Sequence, residues 1–190
     1  AGMGSSQVTV KITLNDSLGT SKLHFDYSVS AETSSYGSVY DGLQINGGSK
    51  IGNTNGFVSH SLNVKGGDVV TLTYAKDYSG DGGSDCIWLK NFRLVELHNI
   101  EIETPGVTGA AIVLKDAAGK EVQAEGGKYA VEDGTYTYTI TAFGYEEATG
   151  EIEVKGADVK RSVNLTKIST QKVTFNITLP EGLNKEDATI

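Results

Sequence analysis

The 190-residue sequence holds one cysteine, Cys86, two prolines and one tryptophan. A single thiol excludes an internal disulfide framework and any metal site built from several cysteines. No apolar run approaches the roughly 18 residues that a membrane-spanning helix needs, and no basic-then-apolar segment opens the chain. Basic residues are also scarce: 16 Lys and Arg against 24 Asp and Glu leave a formal charge of −8 and a pI near 4.9. That balance argues against a nucleic-acid partner, whose phosphates reward clustered Lys and Arg. No stretch carries apolar residues at helical spacing for three turns. Glycine is plentiful at 24 residues, but aperiodic and with little proline, so the chain is globular rather than collagenous.

What is present is alternation. Val8, Val10, Ile12 and Leu14 share one strand face, with Thr9, Lys11 and Thr13 on the other; Leu23, Phe25, Tyr27 and Val29 oppose His24, Asp26, Ser28 and Ser30 in the same way. Further strands are expected over 40–46, 57–64, 68–76 and 87–97, punctuated by Asn15-Asp16, Asn46-Gly47-Gly48, Gly66-Gly67 and a glycine cluster at 80–83. Six short strands in about 97 residues suggest a jelly roll or related β-sandwich. Shorter strands follow over 99–104, 111–116, 128–131, 135–142, 150–155 and 160–167, a second and smaller sandwich.

The expected class is therefore all-β. Residues 1–6 are expected to be an expression leader (Ala1-Gly2-Met3-Gly4 reads as a cloning scar), 7–97 a jelly-roll module, 98–168 a small β-sandwich, and 169–190 the first strand of a truncated third repeat. The repeat is suggested by Ile102-Glu103-Thr104-Pro105-Gly106 against Ile177-Thr178-Leu179-Pro180-Glu181-Gly182. A lone strand over 171–179 is not stable in water, so it is expected to pair with a sheet edge of its own chain or of a neighbour.

Catalytic signatures are missing: there is no nucleophile elbow, Walker loop or dinucleotide fingerprint. His24, His60 and His98 are expected on polar strand faces or in a linker, solvated. The acid pairs Glu101/Glu103, Glu146/Glu147 and Glu151/Glu153 read as exposed solubility chemistry. The expectation is a chain that is not an enzyme.

Two constellations offer binding chemistry. Asp77, Ser79, Asp81 and Asp85, with Gly82 at the sixth position, match the opening of a calcium loop, and a structural calcium is the cation they would hold. Position 12 of that pattern is Trp88 rather than a bidentate Glu, and the same residues also read as a solvated glycine hairpin. The second is aromatic. Tyr36, Tyr40 and Tyr78 fall in or beside loops, where tyrosine faces stack on sugar rings, with Asp41 as a polar partner for hydroxyls. Tyr74 and Trp88 fall inside strands, where aromatics are expected in the core.

The run from Leu72 to Ser79, the segment Ser84-Asp85-Cys86-Ile87-Trp88-Leu89-Lys90-Asn91-Phe92, and Leu23 to Ser30 upstream resemble the jelly-roll modules of large exported Gram-positive proteins. Those modules are similar in outline to MAM and galactose-binding-like domains. The segments Gly109 to Asp116, Asp133 to Tyr138 and Ala142-Phe143-Gly144-Tyr145 resemble the transthyretin-like sandwiches of carboxypeptidase-regulatory and PEGA type. The related Cna B repeats carry an isopeptide cross-link, but this chain lacks a lysine over 99–104 and has Thr139, Ile140 and Thr141 where the assisting Glu would stand. No cross-link is expected. The resemblance implies an extracellular or cell-surface bacterial protein in which the first module binds a glycan or other surface ligand and the second is a spacer. Two alternatives stay open: an appendage of a secreted polysaccharide-degrading enzyme, and a structural stalk.

Overall fold

In the computed structural model, residues 5–32, 36–78 and 83–169 are described. They form thirteen strands and no helix, so the all-β expectation holds. Two separate hydrophobic cores divide them.

The first core lies between two three-stranded sheets. One has the order β1 (Ser6–Thr13), β5 (Val69–Lys76), β3 (Gly42–Ile45); the other has β4 (Val58–Val64), β2 (Ser21–Ser30), β6 (Cys86–Glu96). All the pairings within them are antiparallel. Strand β2 shows most directly why alternation dictates this arrangement. Leu23, Phe25, Tyr27 and Val29 are buried, while Lys22, His24, Asp26, Ser28 and Ser30 face outward and are only partly covered. Opposite them Leu43, Val70, Leu72 and Tyr74 close the core.

Strand β6 carries one extra residue against β2, because His24 pairs with Arg93 but Asp26 pairs with Lys90. Asn91 takes up the bulge at φ 56°, a left-handed conformation that asparagine tolerates better than most residues. The bulge turns Phe92 inward, where its ring stacks on Phe25 at 5.4 Å between centroids.

Leu97 alone separates β6 from β7 (His98–Glu103), and its amide donates to the Thr20 carbonyl at 2.9 Å. The second core lies between the sheet β10 (Lys128–Val131), β7, β13 (Val159–Ser162) and the sheet β12 (Ala148–Val154), β11 (Gly134–Thr141), β8 (Ala111–Lys115), β9 (Glu121–Val122). Ile100, Leu114, Ile140, Ile152 and Val154 fill it. Strands β13 and β7 pair in parallel, the one parallel pair among the described strands. The two-residue β9 is too short to show as a periodic run and is not anticipated from sequence.

The two sandwiches meet end to end. Glu132, in the turn between β10 and β11, reaches the outer face of the first sandwich, with His24 Nε2 at 3.0 Å, Lys22 Nζ at 3.3 Å and Arg93 at 3.9 Å. The histidines are therefore not the solvated residues expected. His24 pairs with Glu132, His60 packs against the rings of Phe25 and Tyr27, and His98 lies 3.5 Å from Asp133.

Candidate functional site

The end of the first sandwich remote from the second gathers the binding chemistry. There the chain leaves β2 through Ala31 and Glu32, enters β3 through Tyr40 and Asp41, and leaves β5 through Lys76, Asp77 and Tyr78. Antiparallel topology brings these three segments together although 45 residues separate Glu32 from Asp77.

Their carboxylates converge. One oxygen each from Glu32, Asp41 and Asp77 lies within 4.8 Å of the others. Asp41 is fully buried. It accepts a hydrogen bond from the Asp77 amide at 2.6 Å, and Lys76 Nζ stands 3.5 Å from its other oxygen. Lys76 also pairs with Asp85 at 3.2 Å. Lys76 thus lies between Asp41 and Asp85. Tyr74 reports the resulting field: burial first, then the charges of Asp85 and Asp41, push its phenol up to about 12.

This set fits a hard divalent cation. Calcium takes carboxylate oxygens at ~2.3–2.6 Å, so oxygens up to roughly 5 Å apart can share one ion. The direct observation is Glu32 Oε2, a buried carboxylate oxygen with no hydrogen-bond partner among the described residues. An unsatisfied buried oxygen of this kind is costly unless a cation meets it.

Of the loop residues expected to hold calcium, Asp77 faces Asp41 and Glu32, whereas Asp85 turns to Lys76 and the Tyr74 hydroxyl, 3.4 Å away. Ser79 and Asp81 lie outside the described residues. Asp41, expected as a sugar partner, is enclosed beneath the surface. Tyr40 and Tyr78 adjoin the acidic pair directly in sequence. Tyr36 and Tyr78 are 95% and 82% exposed, and Tyr40 is partly so.

The second feature lies on the outer face of β4-β2-β6, beginning four residues back from Glu32 along β2. Trp88 is opposite Ser28. Val58 is opposite Tyr27, the last pair of that register, and Phe57 precedes it on the β4 side of β2; the residue bonded beside Ser28 there is Thr54, whose Oγ1 lies 3.2 Å from Ser28 Oγ and accepts the Val29 amide at 2.9 Å. Trp88 on β6 and Phe57 next to β4 therefore stand on the two sides of β2, with neighbouring strands about 4.8 Å apart and the Lys90 side chain reaching across to the Phe57 ring. Trp88 is 45% and Phe57 46% exposed. Its place on the outward set of β6 overturns the core expectation for Trp88; Tyr74, by contrast, is buried.

Polar groups continue this trough along the strands. Lys90 extends over the Phe57 ring, its Nζ 3.6 Å from the centroid. Asp26, opposite Lys90, accepts hydrogen bonds from Ser59 Oγ and Asn91 Nδ2, both at 2.7 Å, and these bonds hold its carboxyl below the usual range. The Asn91 contact depends on the bulge, which places that side chain over β2. The far end of the trough is closed by Glu132 on Lys22, His24 and Arg93.

Sequence reading missed the Trp88–Phe57 pair because it treated each strand alone. The available signal was that Trp88 has the parity of Lys90 rather than of Ile87 and Leu89. No family model matches the chain, and no curated protein matches it either.

Proposed function

We propose that this chain is a non-catalytic module pair of a bacterial cell-surface or secreted protein, in which the first sandwich binds carbohydrate and the second is a spacer. The observation that carries the reading is the partly exposed pair Trp88 and Phe57 on the two sides of β2. Sugar rings present flat C–H faces that stack on aromatic side chains, while amides and carboxylates take their hydroxyls. Trp88 and Phe57 each offer such a partly exposed aromatic face beside β2. Asp26, Asn91 and Ser59 stand beside it with their hydrogen-bonding atoms already ordered. Tyr40 and Tyr78 extend the aromatic surface around the adjacent loop end.

The assignment to the cell surface rests on the resemblance of residues 7–97 to exported jelly-roll modules. The second sandwich carries no comparable exposed aromatic pair among the described residues. Its end-on junction through Glu132 suits a spacer that holds the first module at a fixed angle.

A glycan array tests the reading. Saturable binding lost in Trp88→Ala and Phe57→Ala supports it, whereas binding lost only in Tyr40→Ala or Tyr78→Ala moves the site to the loop end. Folded protein that binds nothing points to the stalk instead.

One observation favours a second role at the same end of the module: the orphaned Glu32 oxygen beside Asp41 and Asp77. We infer a structural calcium held by these three carboxylates. It would fix the loops that carry Tyr40 and Tyr78, and would contribute no chemistry of its own.

A further inference from the structure

The first sandwich is open along one side. Strand β1 pairs with β5 and β6 pairs with β2, and among the described residues neither has a neighbour on its other edge. Between these two edges lies a mainly apolar cleft of about 380 Å³, lined by Val8, Val10, Leu72, Tyr74, Ile87 and Leu89. Val8 and Val10 stand opposite Tyr74 and Leu72 and so face the core side, yet they are 70% and 43% exposed. The cleft has both requirements for an added strand: a free backbone edge and unfilled apolar volume behind it.

A fitting segment exists in the same sequence, outside the described residues. Val173-Thr174-Phe175-Asn176-Ile177-Thr178-Leu179 matches Val8-Thr9-Val10-Lys11-Ile12-Thr13-Leu14 at five of seven positions. It offers Val173, Phe175, Ile177 and Leu179 with period two, the alternation that an added strand over an apolar cleft requires.

Its own chain is too short to deliver it. The amide of Ile168 donates to the Gly144 carbonyl at 3.0 Å, which fixes it at the turn beyond Thr141. Strand β11 runs eight residues from Gly134, beside the junction, to Thr141, about 25 Å away from the first sandwich. The cleft lies near the opposite end of that sandwich, since Ile87 and Leu89 pair with Val29 and Tyr27 whereas the junction contacts Lys22 and His24. The three residues from Ile168 to residue 171 span at most about 11 Å.

We propose that residues 171–179 of a second copy of this chain dock as an added strand along β1, with Phe175 in the cleft, and that the exchange is reciprocal. In each chain Ile168 lies at the far tip of the second sandwich and the cleft at the far end of the first. Two chains side by side and antiparallel therefore satisfy both clefts at once and close the assembly as a dimer.

Sedimentation equilibrium of the full chain over a wide concentration range tests this. The expected result is a mass rising from 20.1 kDa to twice that value, together with slowed labelling of Cys86, which also lines the cleft. Phe175→Asp should stay monomeric with fast Cys86 labelling, and a circular-dichroism spectrum like that of the parent shows both sandwiches still folded. Val10→Lys should act likewise from the cleft side. A chain monomeric at every concentration, a dimer that survives Phe175→Asp, or slowed Cys86 labelling in a monomer (the signature of its own tail in its own cleft) would overturn the proposal.

Discussion

His24 and Glu132 lie 3.0 Å apart, one at the middle strand of the first sandwich and the other in a turn of the second. Lys22 and Arg93 point to the same carboxylate. One glutamate thereby couples two independently packed cores, each of which retains its own buried residues if the contact is lost.

Replacing Glu132 by Ala should therefore loosen the angle between the sandwiches while leaving each folded. Partly exposed ion pairs are worth about 0.2–1 kcal/mol each, so the melting transitions should move little. Small-angle scattering should instead show a broader distribution of inter-module distances, and high salt should produce part of the same change in the parent chain. A scattering profile indifferent to both treatments would mean that Leu97 and the short connection alone set the angle.

Calcium added to a chelated sample should raise the melting temperature of the first sandwich. At a hundredfold excess over the dissociation constant, the stabilisation is about 2.7 kcal/mol. Glu32→Gln removes one carboxylate charge from the seat and should abolish most of that gain. Calcium that stabilises Glu32→Gln as fully as the parent would place the ion elsewhere.

Tyr74 gives the same seat a spectroscopic handle. Its phenol titrates near 12 when folded, against 10.0 for an unperturbed tyrosine. Between those two values the unfolded chain releases this proton while the folded chain retains it, so this tyrosine's contribution to stability is complete below pH 10 and is lost as pH rises toward 12. Asp85→Asn removes the nearest negative charge and should bring the phenol titration, followed by ultraviolet absorbance, back toward the ordinary value. An unchanged titration in that variant would leave burial and the Asp41 charge as the causes.

Much of this fold is legible residue by residue. In β2 every second side chain from Leu23 to Val29 is apolar, and these are the buried ones. The acidic seat is only half legible. Asp77 stands out in a glycine-rich loop, but its neighbours Glu32 and Asp41 come from other strand ends, and no spacing rule links positions 45 and 36 residues away. The trough shows the same limit: Phe57 and Trp88 become neighbours through β2, which precedes both in sequence. Strand alternation specifies the faces, while the order in which strands lie beside one another decides which face residues meet.

Trp88 stands opposite Ser28, whose hydroxyl meets Thr54 Oγ1 on the other side, so access to the indole face depends on residue 28 remaining small. Ser28→Tyr should cover the Trp88 face without touching the core, because Ser28 points outward from β2. Glycan binding should fall by at least tenfold, equivalent to about 1.4 kcal/mol, with the melting temperature close to that of the parent. Undiminished binding in a folded Ser28→Tyr protein would remove the trough from consideration and leave the loop tyrosines.

Gly42 joins the seat to the core, since it follows Asp41 and opens β3. A Cβ at this position would overlap the Ile51 carbonyl, which accepts the Leu43 amide at 3.0 Å while the Ile51 amide donates back to Leu43 at 2.7 Å. Backbone cannot swing aside as a side chain can, so Gly42→Ala must push the Ile51 segment away from β3 and disturb the placement of Asp41. The expected cost is about 1–3 kcal/mol, the range for overpacking. Gly19 provides the comparison: a Cβ there meets nothing within 4 Å, and Gly19→Ala should be neutral or stabilising by up to about 1 kcal/mol through the unfolded chain's lost freedom. Urea unfolding of the two variants separates the effects, and calcium titration of Gly42→Ala adds the decisive readout. If the seat depends on the Leu43–Ile51 pairing, the calcium-induced shift should shrink along with stability, whereas a full shift in a destabilised Gly42→Ala protein would show that Asp41 is positioned by Lys76 and Asp77 alone.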